Sequence, residues 1–241
     1  MSEFEDFDLA SLAAYLHLTP QQVERLANRG QVPGRKVGGK WRFSRAEIHH
    51  WMEDRIGLLD EDELQQVEGA LDRAASIEDP IVSIAELMPV EAICMELQSR
   101  SRNKVISEMS QLAAQTGYLW DAEEMADAVR AREEMQSTAL PGGVALLHPR
   151  RPLPRILGSA LVALGRSGGG IHFGEQGQLT DLFFLIASVT DRGHLRTLAR
   201  LSRLVSSPDF LPALRQATSP REVHEFVAAA ESALDVGGRS T

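Results

Sequence analysis

With 241 residues and a hydrophobic content of 43%, the chain can bury one large core or two smaller ones, and intrinsic disorder is excluded. No run approaches the roughly 18 apolar residues a membrane span needs, and the acidic start MSEFEDFDLA does not resemble a secretory signal, so a cytoplasmic protein is expected. The net charge of -9 argues against nucleic acid only as an average, and the single cysteine, Cys94 in the apolar run AICMEL, excludes an internal disulfide and reads as a buried small hydrophobe.

In chain order, DLASLAAYL places Leu9, Leu12, Ala13 and Leu16 on one helical face. A second helix starts with Thr19 as N-cap and Pro20 at its first position, turns Val23, Leu26 and Ala27 inward, and stops at Gly30. Gly38-Gly39 then marks a tight turn between two short strands, and Ser44 caps a third helix carrying Ile48 and Trp51. Helices around a hairpin make a winged helix-turn-helix, expected over residues 1–55. Between Pro20 and Arg45 seven basic residues stand against one acid, whereas between Glu53 and Pro80 ten acids stand against two arginines. An acidic connector is expected over 56–80, with Asp60 and Glu63 opening a helix on which Leu64, Val67 and Leu71 share a face.

From Ile81 to about residue 235 the pattern alternates. Strand candidates are AICMEL, GVALL, ILGSALVAL and TDLFFLIASV, and helices are expected after Ser101, Asp121, Asp191 and Ser219. Alternation of this kind implies an α/β (α+β) domain in which helices cover a sheet. The glycines of GRSGGGIHFG read as a loop between strands, because the segment lacks the order of a phosphate-binding P-loop.

If the second helix buries Val23 and Leu26, its open face carries Gln21, Gln22, Arg25, Asn28 and Arg29. Arginine pairs with the major-groove edge of guanine, and asparagine or glutamine with that of adenine. Arg35, Lys36, Lys40 and Arg42 lie in the hairpin, placed for the DNA backbone or the minor groove. A solvated charged face is the plain alternative for the hairpin. The order LTPQQVERLANRGQVPGRKVGGKWRFSRAEIHHW resembles the excisionase-type and MerR-like helix-turn-helix family over about residues 8–54, which implies DNA binding by the second helix and the wing. His49 and His50 are adjacent, so they cannot form an i, i+4 metal pair, and they read as surface residues near a helix end.

The segment REEMQSTALPGGVALLHPR delivers His148 at the exit of an apolar strand, with Arg132 at the end of a helix before it. A neutral imidazole, whose ordinary pKa lies near ~6.5, attacks phosphorus without a separate base. Phosphoryl transfer asks the surroundings mainly for position and for cations or N–H groups at the phosphoryl oxygens. Arg132 is a candidate cation, the hydroxyls of Ser137 and Thr138 could hold the ring by one nitrogen, and Gly142-Gly143 allows a close turn. An ordinary surface histidine is the competing reading. The absence of a G-x-S-x-G elbow excludes serine-hydrolase logic, and His148, His172, His194 and His224 stand too far apart in sequence for metal-ligand spacing, so neither metal nor cofactor is expected.

The pattern RE-x-x-x-ST-x-x-x-GG-x-A-x-x-H resembles the phosphorylation segment of the type 2 EIIA domains of the bacterial phosphotransferase system, the mannitol, fructose and nitrogen-regulatory group. Agreement extends from about Ile81 to Leu234 and includes SIAELM, SRNKVISEMSQLAAQTGYL and DRGHLRTLARLSRLVSSPDFLPAL. The resemblance implies a mixed sheet between helices, His148 as acceptor through Nε2 from the carrier HPr or a nitrogen-branch homologue, Arg132 neutralising the phosphate, and His194 as the second pocket histidine. This chain departs from the family at Leu147, where proline is usual, at Pro149, where a small residue is usual, and at Pro141, where glycine is common. Pro149 also lacks a backbone N–H that could donate to the phosphate.

Joined, the parts read as a phosphotransferase-linked regulator in which a DNA-binding module, expected to work as a homodimer, is coupled to an EIIA domain. Two alternatives stand: a phosphocarrier serving the IIB domain of a sugar transporter, and an adaptor that keeps the fold without being phosphorylated. The carrier reading requires His148 to be reachable beside Arg132.

Overall fold

The computed structural model describes residues 6–16, 18–56, 83–174 and 179–237. The chain divides into two compact units, Met1–Ile81 and Val82–Thr241. The expected connector helix between Asp60 and Leu71 lies outside the described residues.

The first unit contains helices α1 (Leu9–Leu16), α2 (Pro20–Asn28) and α3 (Arg45–Ile56), and the hairpin β1 (Arg35–Val37) and β2 (Lys40–Arg42). Thr19 caps α2 as expected, and the cap is fuller than the sequence suggested. Its hydroxyl accepts the Gln22 N–H at 3.3 Å, and the Gln22 side-chain oxygen accepts the Thr19 N–H at 2.8 Å. This reciprocal pair satisfies two otherwise orphaned donors and fixes where the helix starts. Val23 and Ala27 are buried, while Leu26 is only half-buried. The antiparallel hairpin pairs Arg35 with Arg42 across the Gly38-Gly39 turn, and Phe7 exchanges both backbone bonds with Phe43, at 2.8 and 2.9 Å, extending the wing. Phe7, Leu12, Val23, Val32, Phe43 and Ile48 form the core of the unit.

One expectation fails here. His49 is 5% exposed and its Nε2 lies 2.8 Å from the Tyr15 hydroxyl, so it is a buried, hydrogen-bonded histidine and not a surface residue. Its place one residue after Ile48, on the inner side of α3, accounts for the difference.

The second unit is built on a five-stranded sheet of β3 (Ile93–Cys94), β4 (Ala139–Leu140), β5 (Val144–Leu147), β6 (Leu161–His172) and β7 (Leu179–Ala187), in the spatial order β3-β6-β7-β5-β4. β3 runs parallel to β6 and β5 parallel to β7, while the β6/β7 and β4/β5 pairs are antiparallel. The helices are α4 (Ile84–Leu87), α5 (Arg102–Gln115), α6 (Ala122–Met135), α7 (Asp191–Ser206), α8 (Phe210–Gln216) and α9 (Pro220–Gly237).

Alternation along the strands sends side chains to opposite faces. Ala145, Leu147, Phe183, Leu185 and Ala187 pack with Val105, Ile106 and Met109 of α5 and with Met125, Ala126 and Val129 of α6. Leu146, Phe184 and Ile186 point the other way and are also buried, and α7 lies against β7. A sheet buried on both faces explains why β5 and β7 read as continuous apolar runs. α5 approaches β6 so closely that a Cβ on Gly165 would lie 2.5 Å from the Met109 sulfur and 2.8 Å from Leu97.

Two sequence expectations are corrected. The glycines from Gly165 to Gly170 do not form a loop, because β6 runs through them with a register shift between Arg166 and Ile171. α7 is capped by Thr190, whose hydroxyl accepts the Gly193 N–H at 3.1 Å, and Asp191 is the first helical residue. The two-residue strand β4 carried no signal of its own, since only pairing with β5 makes it a strand.

The start and end of the second unit are joined by one buried carboxylate. Glu231 of α9 accepts the Ile84 and Ala85 N–H groups at 2.7 and 2.8 Å, the Ser83 hydroxyl at 2.9 Å and Arg200 Nε at 2.6 Å. A carboxylate at the start of α4 satisfies donors that the short helix cannot satisfy itself.

Candidate functional site

His148 follows β5 directly, and its ring leans back so that Nδ1 lies 2.8 Å from the Leu146 carbonyl. A carbonyl only accepts, so Nδ1 carries the proton and a neutral ring keeps its lone pair on Nε2. The orienting role expected of Ser137 or Thr138 therefore falls to the backbone.

The reason lies one strand away. Thr138 precedes β4 opposite Leu146 and its carbonyl accepts the Leu146 N–H at 3.2 Å. In an antiparallel pair the reciprocal bond would run from the Thr138 N–H to the Leu146 carbonyl. That N–H is instead taken by Glu133, at 3.0 and 3.1 Å, leaving the Leu146 carbonyl to His148. Glu133 is buried near the end of α6 and also accepts the hydroxyls of Thr138 at 2.6 Å and Ser137 at 2.8 Å, while Arg102 pairs with it at 3.0 Å. Sequence reasoning passed over Glu133. The available signal was an acid four and five residues ahead of two hydroxyl residues at a helix end.

His194 sits in the first turn of α7, and its ring centroid lies 5.1 Å from that of His148 at an interplanar angle of 51°. The two histidines expected to share a pocket are therefore together. Arg132 is also buried, in the last turn of α6, and its Nη1 donates to the Gln136 carbonyl at 2.9 Å. His148 is 3% exposed, His194 2% and Arg132 4%. The lean of the His148 ring onto Leu146 and its contact with the His194 ring account for part of that burial. Gly142 and Gly143 form the β4–β5 turn at φ of 87° and 81°, and a Cβ on Gly143 would lie 2.9 Å from Asp181. Only glycine fits that turn comfortably.

In the first unit Gln21, Arg25 and Asn28 of α2, and Arg29 at its C-cap, are exposed, as expected. Gln22 is exposed too, but its carbonyl oxygen is held by the Thr19 cap, which leaves its amide N–H₂ for any outside partner. Arg35, Lys36, Lys40 and Arg42 are exposed on the hairpin. Arg35 pairs with Asp6 at 3.1 Å and Lys36 lies 5.0 Å above the Trp41 ring, both surface contacts of modest strength.

Comparison with known proteins agrees with both units. Residues 86–230 match the family described as phosphoenolpyruvate-dependent sugar phosphotransferase system EIIA 2, and residues 7–56 match a helix-turn-helix domain family. A nitrogen regulatory protein of Bradyrhizobium diazoefficiens is 31% identical over 151 residues, covering 60% of this chain and 94% of that protein. A fructose-specific EIIABC component of Bacillus subtilis is 28% identical over 149 residues, covering 61% of this chain but only 23% of its own length. Among solved structures, the nitrogen regulatory protein IIA-Ntr of Neisseria meningitidis aligns with a TM-score of 0.53 at 24% identity, covering 60% of this chain and 98% of that one. IIA mannitol of Escherichia coli aligns with a TM-score of 0.52 at 21% identity, covering 58% and 98%. The fold, the strand-end histidine and the family match converge: this chain belongs to the type 2 EIIA family of the phosphoenolpyruvate-dependent sugar phosphotransferase system and carries a helix-turn-helix domain ahead of its EIIA domain.

Proposed function

We propose that the chain is a phosphotransferase-linked regulator in which His148 accepts a phosphoryl group on Nε2 and the helix-turn-helix binds DNA. The observation that carries the first half is the Nδ1–H bond from His148 to the Leu146 carbonyl, which directs the lone pair of the neutral ring to Nε2. In the step, Nε2 attacks the phosphorus of a phosphohistidine donor of the HPr class; the new N–P bond forms as the donor's N–P bond breaks, and the donor ring recovers its lone pair. Nδ1–H stays on Leu146, so no separate base is required. Arg132 and His194 supply positive charge or donors to the phosphoryl oxygens.

Transfer requires the donor to reach Nε2 of His148. The test is incubation of the full chain with phosphoenolpyruvate, enzyme I and HPr, or the nitrogen-branch carrier, followed by analysis for acid-labile, alkali-stable label. Label is expected in the parent and absent from His148→Ala. A parent that takes no label from either carrier would reduce the domain to an unphosphorylated adaptor.

DNA binding is supported by the exposed set Gln21, Arg25 and Asn28 on one capped helix and Arg29 at its C-cap, followed by the basic hairpin. Phosphorylation adds roughly -1.5 to -2 charge, enough to alter how a basic module docks on DNA or on a protein partner. A second reading is onward transfer to a IIB domain. It is favoured by a fold likeness, at a TM-score of 0.51 and 20% identity, to the Escherichia coli enzyme IIA mannitol solved in complex with phosphorylated enzyme IIB mannitol. Appearance of label on an added IIB domain would distinguish it.

A further inference from the structure

Ser188 stands one residue past the end of β7, is 2% exposed, and its hydroxyl oxygen is buried with no hydrogen-bond partner among the described residues. Buried hydroxyls are ordinarily paired, and one left unmade destabilises the protein. Two other buried serines share the defect, Ser167 and Ser202, so position decides which of them has a use. Ser167 lies six residues along β6 from Leu161, whose partner is Ala187, roughly 20 Å from that end of the sheet. Ser202 lies eight residues beyond His194 on α7, about 12 Å down the helix.

Strand register directs Ser188 toward the site. The last β5/β7 pair is Leu147 with Leu185, so one further step sets His148 beside Ile186 and Ser188 two residues on. Strand alternation puts Ser188 on the face of Phe184 and Ile186, opposite the α5/α6 cluster and shared with Leu146 and His148. Register thus brings Ser188 toward His148 on one face of the sheet. Two residues after Ser188, Thr190 caps α7, whose first turn carries His194, so the hydroxyl also stands where the N-terminus of a 16-residue helix favours negative charge.

We propose that the Ser188 hydroxyl donates a hydrogen bond to the phosphoryl group carried on His148 Nε2, supplying a donor that Pro149, which has no N–H, does not. The inference rests on the acceptor reading above. The unpaired hydroxyl of the resting state is then a site prepared for the phosphorylated one.

The test compares Ser188→Ala with the parent in the full chain, using phosphoenolpyruvate, enzyme I and HPr or the nitrogen-branch carrier. Removal of one preorganised donor lowers rates by up to about 10²–10³. We therefore expect the labelling rate to fall, and hydrolysis of the phosphohistidine to quicken, by about 10-fold or more. The phosphorus chemical shift of the phosphohistidine should move as well. Without phosphorylation the Tm of Ser188→Ala should equal or exceed that of the parent, since the variant removes an unpaired group. Ser202→Ala, which deletes an equally buried hydroxyl away from the site, should label as the parent does. Equal labelling and lifetime in Ser188→Ala and parent would overturn the Ser188 role alone, as would an equal drop in Ser202→Ala. A parent that takes no label would overturn the acceptor reading, and the Ser188 role with it.

Discussion

Glu133 acts on His148 without touching it. By accepting the Thr138 N–H at 3.0 Å it withdraws a donor from the β4/β5 ladder, and the Leu146 carbonyl so released orients the imidazole. Replacing Glu133 with alanine would return the Thr138 N–H to Leu146 and set it in competition with His148 Nδ1. The variant should lose about 2–3 kcal/mol of stability in urea unfolding, the scale of hydrogen bonds to a charged group. The ring nitrogen shifts of His148 in ¹⁵N NMR should also move toward the Nε2–H tautomer. A parent-like tautomer in a folded Glu133→Ala would show that the carbonyl bond does not depend on the carboxylate. This relay was invisible in the sequence because it runs through backbone groups, which every residue has and no residue type announces.

At the scale of the element, local chemistry was the most legible. Thr19, Pro20 and Gly30 bounded α2 correctly because caps and breakers act within a few residues, and Gly30 does adopt a left-handed φ of 68°. Thr19→Ala should release the cap and raise hydrogen exchange of the first α2 amides by an amount equivalent to about 1 kcal/mol. Unchanged protection would mean that packing of Val23 and Ala27 alone sets the helix start. The glycines after Gly165 misled for the opposite reason. Their local preference is for turns, but pairing of Ile171 with Thr180 and of His172 with Leu179 holds β6 as a strand beyond the register shift. Burial decided that contest, since a glycine at 165 lets α5 close onto the sheet.

At the scale of the whole molecule, the net charge of -9 conceals a basic module, and the DNA-binding proposal stands or falls on that distribution. Replacing Arg25 and Arg29 with alanine should weaken DNA binding in gel shifts. The slope of log K against log salt should also become shallower, by about 1 for every phosphate that the two guanidinium groups neutralise in the parent. Binding in the double variant that matches the parent in both strength and salt slope would assign those arginines to solvent. Among the described residues no helix is long and apolar enough to cross a membrane. The sequence alone determined the two-part organisation, the caps of α2 and the identity of the strand-end histidine, because each depends on neighbours along the chain. Only the tertiary structure decided that His194 meets His148 at 5.1 Å, that Glu133 frees the carbonyl that holds the ring, and that the Ser188 hydroxyl is buried without a hydrogen-bond partner among the described residues. Those relations are fixed by strand register and helix packing, which bring together residues far apart along the chain and which no local pattern of residues encodes.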